Sequence, residues 1–154
     1  MTAELAVADD DVGGEAQTFA TFNVAGQTFG VPVFRVQDIL MPERIAPVPL
    51  APASIKGAIN LRGRIVTVVD VRTRLGLVER DDGKPSMGVT VDFRGELYTL
   101  LVDQIGDIIE LPQYRREDKP STLDCAWRDV TDGVYRLEDG LMVVLDVDRL
   151  LDIG

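Results

Sequence analysis

Ile55-Lys56-Gly57-Ala58-Ile59-Asn60-Leu61-Arg62-Gly63-Arg64-Ile65-Val66-Thr67-Val68-Val69-Asp70-Val71-Arg72 is the stretch on which the fold turns. Ile59 and Leu61 face one side of a strand, because side chains alternate along extended backbone. Arg62-Gly63 makes the turn. Ile65 to Val69 is nearly continuous apolar sequence, as for a strand buried on both faces. Asp70 then stands where a helix N-cap belongs. Arg72-Thr73-Arg74-Leu75 reads as one helical turn, stopped by Gly76.

The same pattern recurs downstream at an offset of 76. Gly57 matches Gly133, Ile59 Tyr135, Leu61 Leu137, Ile65 Leu141, Val68 Val144, Asp70 Asp146 and Val71 Val147. Asp148-Arg149-Leu150-Leu151 is then the counterpart of the helical turn. Upstream, an offset of 69 aligns a second pair of segments around Gly26 and Gly95. Phe22 matches Val91, Val24 Phe93, Phe29 Tyr98, Val31 Leu100, Val33 Val102, Val36 Ile105, Asp38 Asp107 and Ile39 Ile108. Each segment is a strand, a Gly-containing turn, a second strand and a V/I-x-D-I element, with the alternation of a half-buried hairpin.

This duplication predicts a mainly β protein of two small barrel-like lobes, about five strands each, with short helical turns and a short C-terminal helix. Closing a sheet on itself hides strand edges. The pseudo-repeat halves run about 18–83 and 84–154. Residues 1–17 read as a disordered acidic tail, Gly/Ala-rich and without periodicity. Whether strands cross between lobes stays open.

Composition narrows the function. The chain has 26 acidic and 16 basic residues, no His, and a net charge of −10. Residues 1–17 contribute −5, residues 18–83 +2 and residues 84–154 −7. An acidic chain with one Trp, three Tyr and five Phe lacks the charge and the stacking platform of a nucleic-acid-binding barrel. Cys125 is the only cysteine, so an internal disulfide and a Cys-rich zinc site are excluded, and without His so are the usual His-based metal sites and Ser/His or Cys/His pairs. Neither a phosphate-cradling glycine loop nor a nucleophile elbow is present. Carboxylates leave a hydrolase open, yet Asp38, Asp70, Asp107 and Asp146 all suit caps, turns or ion pairs. Apolar runs are of strand length, and the N-terminus is not built like a signal peptide, so a cytoplasmic protein without membrane insertion is expected.

Lys56, Arg62, Arg64, Arg72 and Arg74 set five positive charges against Asp70. They read either as a solvated basic turn or as an Arg-bearing docking surface. At the repeat position of Arg62 stands Glu138, so the framework is reused while the exposed turn reverses charge.

The run Ile55 to Gly63 followed by Ile65 to Arg72 resembles the signature of the CheW family. Phe29-Gly30-Val31-Pro32-Val33 with Val36-Gln37-Asp38-Ile39 is similar to the family's early strand pair. Val102-Asp103 with Ile105 and Asp107-Ile108, and Leu145 to Leu151, resemble its later blocks. The resemblance spans about residues 18–152. It implies two five-stranded SH3-like barrels on a shared apolar core. It also implies a non-catalytic, cofactor-free adaptor coupling the cytoplasmic tips of transmembrane chemoreceptors to the regulatory domain of the histidine kinase CheA. Its site in membrane-bound arrays would come through these partners. Docking residues carried over by matching position are Val36, Asp38, Ile39, Gly57, Asn60, Leu61, Arg62, Gly63 and Ile108, with the receptor tip in an apolar groove edged by Val36, Asp38 and Arg62, and with Arg62 pairing with Asp38 or with a partner carboxylate. A CheW-like adaptor of a non-flagellar pathway, for pilus motility or development, is the alternative. The length argues against a fused receiver domain. Residues 111–132, with Cys125-Ala126-Trp127, depart from the pattern, and Trp127 reads as core in preference to an interface anchor. The chain stops at Gly154, where many relatives continue a longer helix.

Overall fold

The computed structural model describes residues 15–42, 44–78, 83–120, 123, 125–138 and 140–152. Among these residues, ten strands form two five-stranded sheets. They are β1 (Ala16–Val24), β2 (Gln27–Pro32), β3 (Val36–Leu40), β4 (Ile55–Leu61), β5 (Arg64–Asp70), β6 (Met87–Phe93), β7 (Glu96–Val102), β8 (Gln104–Pro112), β9 (Thr131–Leu137) and β10 (Gly140–Leu145). Among the described residues, three short α-helices, α1 (Val71–Arg74), α2 (Cys125–Val130) and α3 (Val147–Leu151), and two 3-10 turns, Val33–Arg35 and Gln113–Arg115, complete the fold. None of the described helices is long and apolar enough to cross a membrane.

The hairpins are tight because three of them carry the same turn. Ala25-Gly26, Arg62-Gly63 and Arg94-Gly95 all have both central residues at positive φ, near 54° then 84°. That left-handed pair matches the twist of the flanking strands. An Asx side chain holds each: Asn23, Asn60 and Asp92 accept the N–H of Gly26, Gly63 and Gly95 at 3.0, 2.9 and 3.2 Å. The expected caps form too. Asp70 accepts from the Arg72 N–H, and Asp146 from the Arg149 N–H.

The sheet orders are β8-β1-β2-β10-β9 and β3-β6-β7-β5-β4. Under the two repeat offsets the first order becomes the second. The registers convert as well. Thr67 pairs with Tyr98 where Val143 pairs with Phe29, and Val36 with Val91 where Ile105 meets Phe22. Even the β-bulges recur, between Ile55/Gly57 in one lobe and Val144/Leu145 in the other. The sequence halves, however, are not the lobes. Hairpin β1–β2 lies in the sheet of β8, β9 and β10, and hairpin β6–β7 in that of β3, β4 and β5. Each half lends its first hairpin to the other.

Three apolar clusters follow. One fills the first lobe (Phe19, Leu111, Tyr135, Met142, Val144). A second fills the other (Ile59, Val66, Val68, Leu101, with Leu61 against it). The largest lies between them and draws on both sheets, including Phe22, Phe29, Val69, Val91, Leu100, Val143 and Leu150. Two expectations need correction. The first strand begins at Ala16, inside the predicted 1–17 tail, because Ala16 and Gln17 pair with Pro112 and Leu111; residues 1–14 of that tail lie outside the described residues. The β5 run is not buried on both faces throughout, since Ile65 is 76% exposed while Val66 and Val68 fill the lobe. Within residues 111–132, the expected core role of Trp127 holds. Leu111-Pro112 ends β8, and Trp127 on α2 packs on the shared core, with its ring 5.4 Å from Phe29 and its N–H bonded to the Leu75 carbonyl at 3.1 Å.

Candidate functional site

The element that brings the predicted docking residues together is the β4–β5 hairpin, whose turn reaches β3. Arg62, at φ 54° and 77% exposed by side chain, sets its Nη2 3.0 Å from Oδ2 of Asp38. Asp38 is 20% exposed and also accepts the Ile39 N–H at 2.9 Å. An ion pair with so exposed a cation is worth about 0–1 kcal/mol. It ties the two ends of the five-stranded row, β3 and β4, to each other. The other lobe has no equivalent, because the repeat positions hold Asp107 and Glu138, two like charges.

Around this pair the predicted residues divide. Ile39 stands beside it with 40% of its surface exposed, and Val36 is half-buried against the shared core. Asn60, Leu61 and Gly63 belong to the same hairpin, but their side chains have structural jobs. Asn60 clamps the turn through the Gly63 N–H, and Leu61 packs into the lobe. Gly57 is buried. A Cβ there would lie 2.3 Å from the Ala46 carbonyl oxygen, since the segment after β3 crosses β4 at this point. The Ala46 and Ala58 backbones exchange two hydrogen bonds there, at 2.9 and 2.8 Å. Ile108 is 55% exposed but lies on β8, in the other sheet.

The five-charge cluster is no single surface either. The Arg72 guanidinium grips Asp103 at 3.0 and 2.6 Å, and Arg74 bonds the carbonyls of Leu150 and Arg149 at 2.8 and 2.9 Å. These two arginines tie the lobes and the C-terminal helix together.

An apolar groove does lie beside this hairpin, as expected, but apart from Asn60 its lining was not among the predicted residues. Between the segment after β3 and the face of β4–β5 runs an open groove of about 1110 Å³, lined by Leu40, Met41, Pro42, Ile45, Val48, Ile59 and Ile65 among others, with Arg44 as its charge. Met41, Val48 and Ile65 are 52%, 45% and 76% exposed, an unusual density of bare apolar side chains. The available signal was the spacing of Pro42, Pro47, Pro49 and Pro52 among apolar residues, which marks an extended segment poor in N–H donors. Among the described residues no group of three or more His, Cys, Asp or Glu could hold a metal.

A family model, the CheW-like domain, matches residues 18–153. The chemotaxis protein CheW of Rhizobium meliloti (strain 1021) is 28% identical over 129 residues, covering 84% of this chain and 83% of its own. That of Bacillus subtilis (strain 168) is 25% identical over 152 residues, covering 99% and 92%. The crystal structure of the scaffolding protein TtCheW from Thermoanaerobacter tengcongensis is similar at a TM-score of 0.81 and 25% identity, covering 91% of this chain and 95% of that one.

Proposed function

The chain belongs to the CheW family, and on that basis we propose that it is a chemotaxis coupling adaptor that holds a chemoreceptor tip and the histidine kinase CheA at the same time. An adaptor with two partners needs two surfaces. The observation that carries the reading is that this lobe offers two: the exposed Arg62–Asp38 pair with Ile39, and the apolar groove edged by Met41, Val48 and Ile65. The first is small and charged, suited to setting orientation and partner choice more than affinity. It is the receptor-facing surface, with Val36 and Ile39 as its apolar flanks. The groove is large and apolar, suited to the sustained contact a second barrel can make. It takes the kinase's regulatory domain. The adaptor needs no cofactor and performs no chemistry. It works in the cytoplasm, beside receptors that carry it to the membrane.

Two charge substitutions separate the surfaces. Arg62→Glu places like charges at 62 and 38. It weakens retention of receptor tips on the immobilised adaptor at least tenfold and leaves CheA retention and melting temperature nearly unchanged. Ile65→Asp does the reverse, since Ile65 already faces water in the free protein. Equal loss of both partners in either variant contradicts the assignment, and retention of neither partner by the wild type at tens of micromolar ends it.

A further inference from the structure

The repeat creates a pairing problem that two ion pairs solve. Strand β5 lies parallel to β7, and β10 parallel to β2, in registers that the repeat offsets interconvert. Backbone geometry therefore offers an alternative in which each half keeps its own hairpin, with β5 beside β2 and β10 beside β7. Both versions use similar apolar strands, so burial discriminates weakly between them.

Charge does discriminate. The helix after β5 carries Arg72, which pairs with Asp103 just beyond β7 at 2.6 Å, with side-chain exposures of 18% and 13%. The helix after β10 carries Asp148 at the repeat position of Arg72, and it pairs with Arg35 just beyond β2 at 2.9 Å. Asp103 and Arg35 stand one position apart in the repeat alignment. The two corners thus hold the same latch with opposite polarity. Among the described residues, the other charged ones lining them are one of each sign, Lys56 and Asp70 at the first and Arg94 and Asp92 at the second. In the alternative pairing Arg72 would meet Arg35, and Asp148 would meet Asp103. Each latch also holds backbone: Asp103 accepts the Ala25 N–H of the β1–β2 turn at 2.8 Å, and Arg35 donates to the Asp92 carbonyl at 2.8 Å.

We propose that the reversed polarity of the Arg72–Asp103 and Arg35–Asp148 latches selects the hairpin-exchanged topology over its near-degenerate alternative. It is a specificity device, of the kind in which unfavourable charge meetings exclude the wrong partner.

The test reverses the latches one at a time and together. Arg35→Asp with Asp148→Arg keeps an ion pair at that corner but makes both corners alike, so the alternative pairing also gains complementary charges. Refolding from denaturant is followed by fluorescence of Trp127, which touches Phe29 of β2 and the end of α1, and by the native yield on gel filtration. This double variant loses native yield several-fold and gains a second, slower phase. Adding Arg72→Asp and Asp103→Arg restores opposite polarity, and the yield recovers although further native bonds are lost. A double variant that refolds like the wild type overturns the proposal. So does a quadruple variant no better than the double, the result expected if each latch is only a local tie.

Discussion

Tyr135 and Ile59 hold the same repeat position, each at the centre of its lobe, but Tyr135 brings a hydroxyl into apolar surroundings. The side chain is fully buried, and the hydroxyl has no hydrogen-bond partner among the described residues. Burial raises its pKa above the ordinary value of 10.0, against the opposing pull of Arg116 and Arg115. A raised pKa in the folded state means that the unfolded chain loses this proton first, so stability is full below about pH 10 and falls as pH rises beyond it. Tyr135→Phe removes an unpaired buried group and raises stability by about 1 kcal/mol at neutral pH. In urea denaturation its advantage over the wild type widens near pH 11. A less stable variant at neutral pH would mean that the hydroxyl is satisfied after all. At this scale the sequence was a good guide to charge and a poor one to glycine and asparagine. The Arg62–Asp38 pair was legible only through the family resemblance, since Asp38 on β3 and Arg62 in the β4–β5 turn belong to opposite ends of the strand order. Gly57 and Asn60 sit in the same motif for backbone reasons that only the crossing segment and the turn reveal.

The β4–β5 hairpin was readable as an element because alternation, turn and cap agree along one short run. The wall of the groove beside it was not. It exists because residues 44–48 lie across β4, and that contact joins two segments with no shared pattern. The crossing depends on Gly57, where the missing side chain lets the Ala46 carbonyl approach. Gly57→Ala therefore displaces the segment or the strand, costing about 3 kcal/mol, well above a surface substitution. Calorimetry should show the fall, and CheA binding should weaken with it because the groove wall moves. A melting temperature unchanged within a degree or so would mean that the crossing is soft. Ile65 marks the limit of reading an apolar run. Five consecutive apolar or Thr residues look doubly buried, yet the first lies at the groove and faces water.

Across the molecule, the repeat identified two lobes and their strand count, but the exchange of hairpins lay beyond it. Pairing of β2 with β10 joins residues more than a hundred positions apart. Equivalent strands in the two halves are interchangeable to any pattern based on hydrophobicity. What distinguishes them are a few charged corners whose meaning appears only once the strands are placed. The exchange also puts residues of both halves into each lobe and into the shared core. The docking account makes one demand of the whole molecule: both partners must be held together by a single copy. Immobilised CheA regulatory domain, challenged with receptor tips in the presence and absence of the adaptor, measures this most directly. The account predicts that tips are retained only when the adaptor is present and in proportion to it. Tips that instead displace the adaptor from CheA would place both partners on one surface and contradict it.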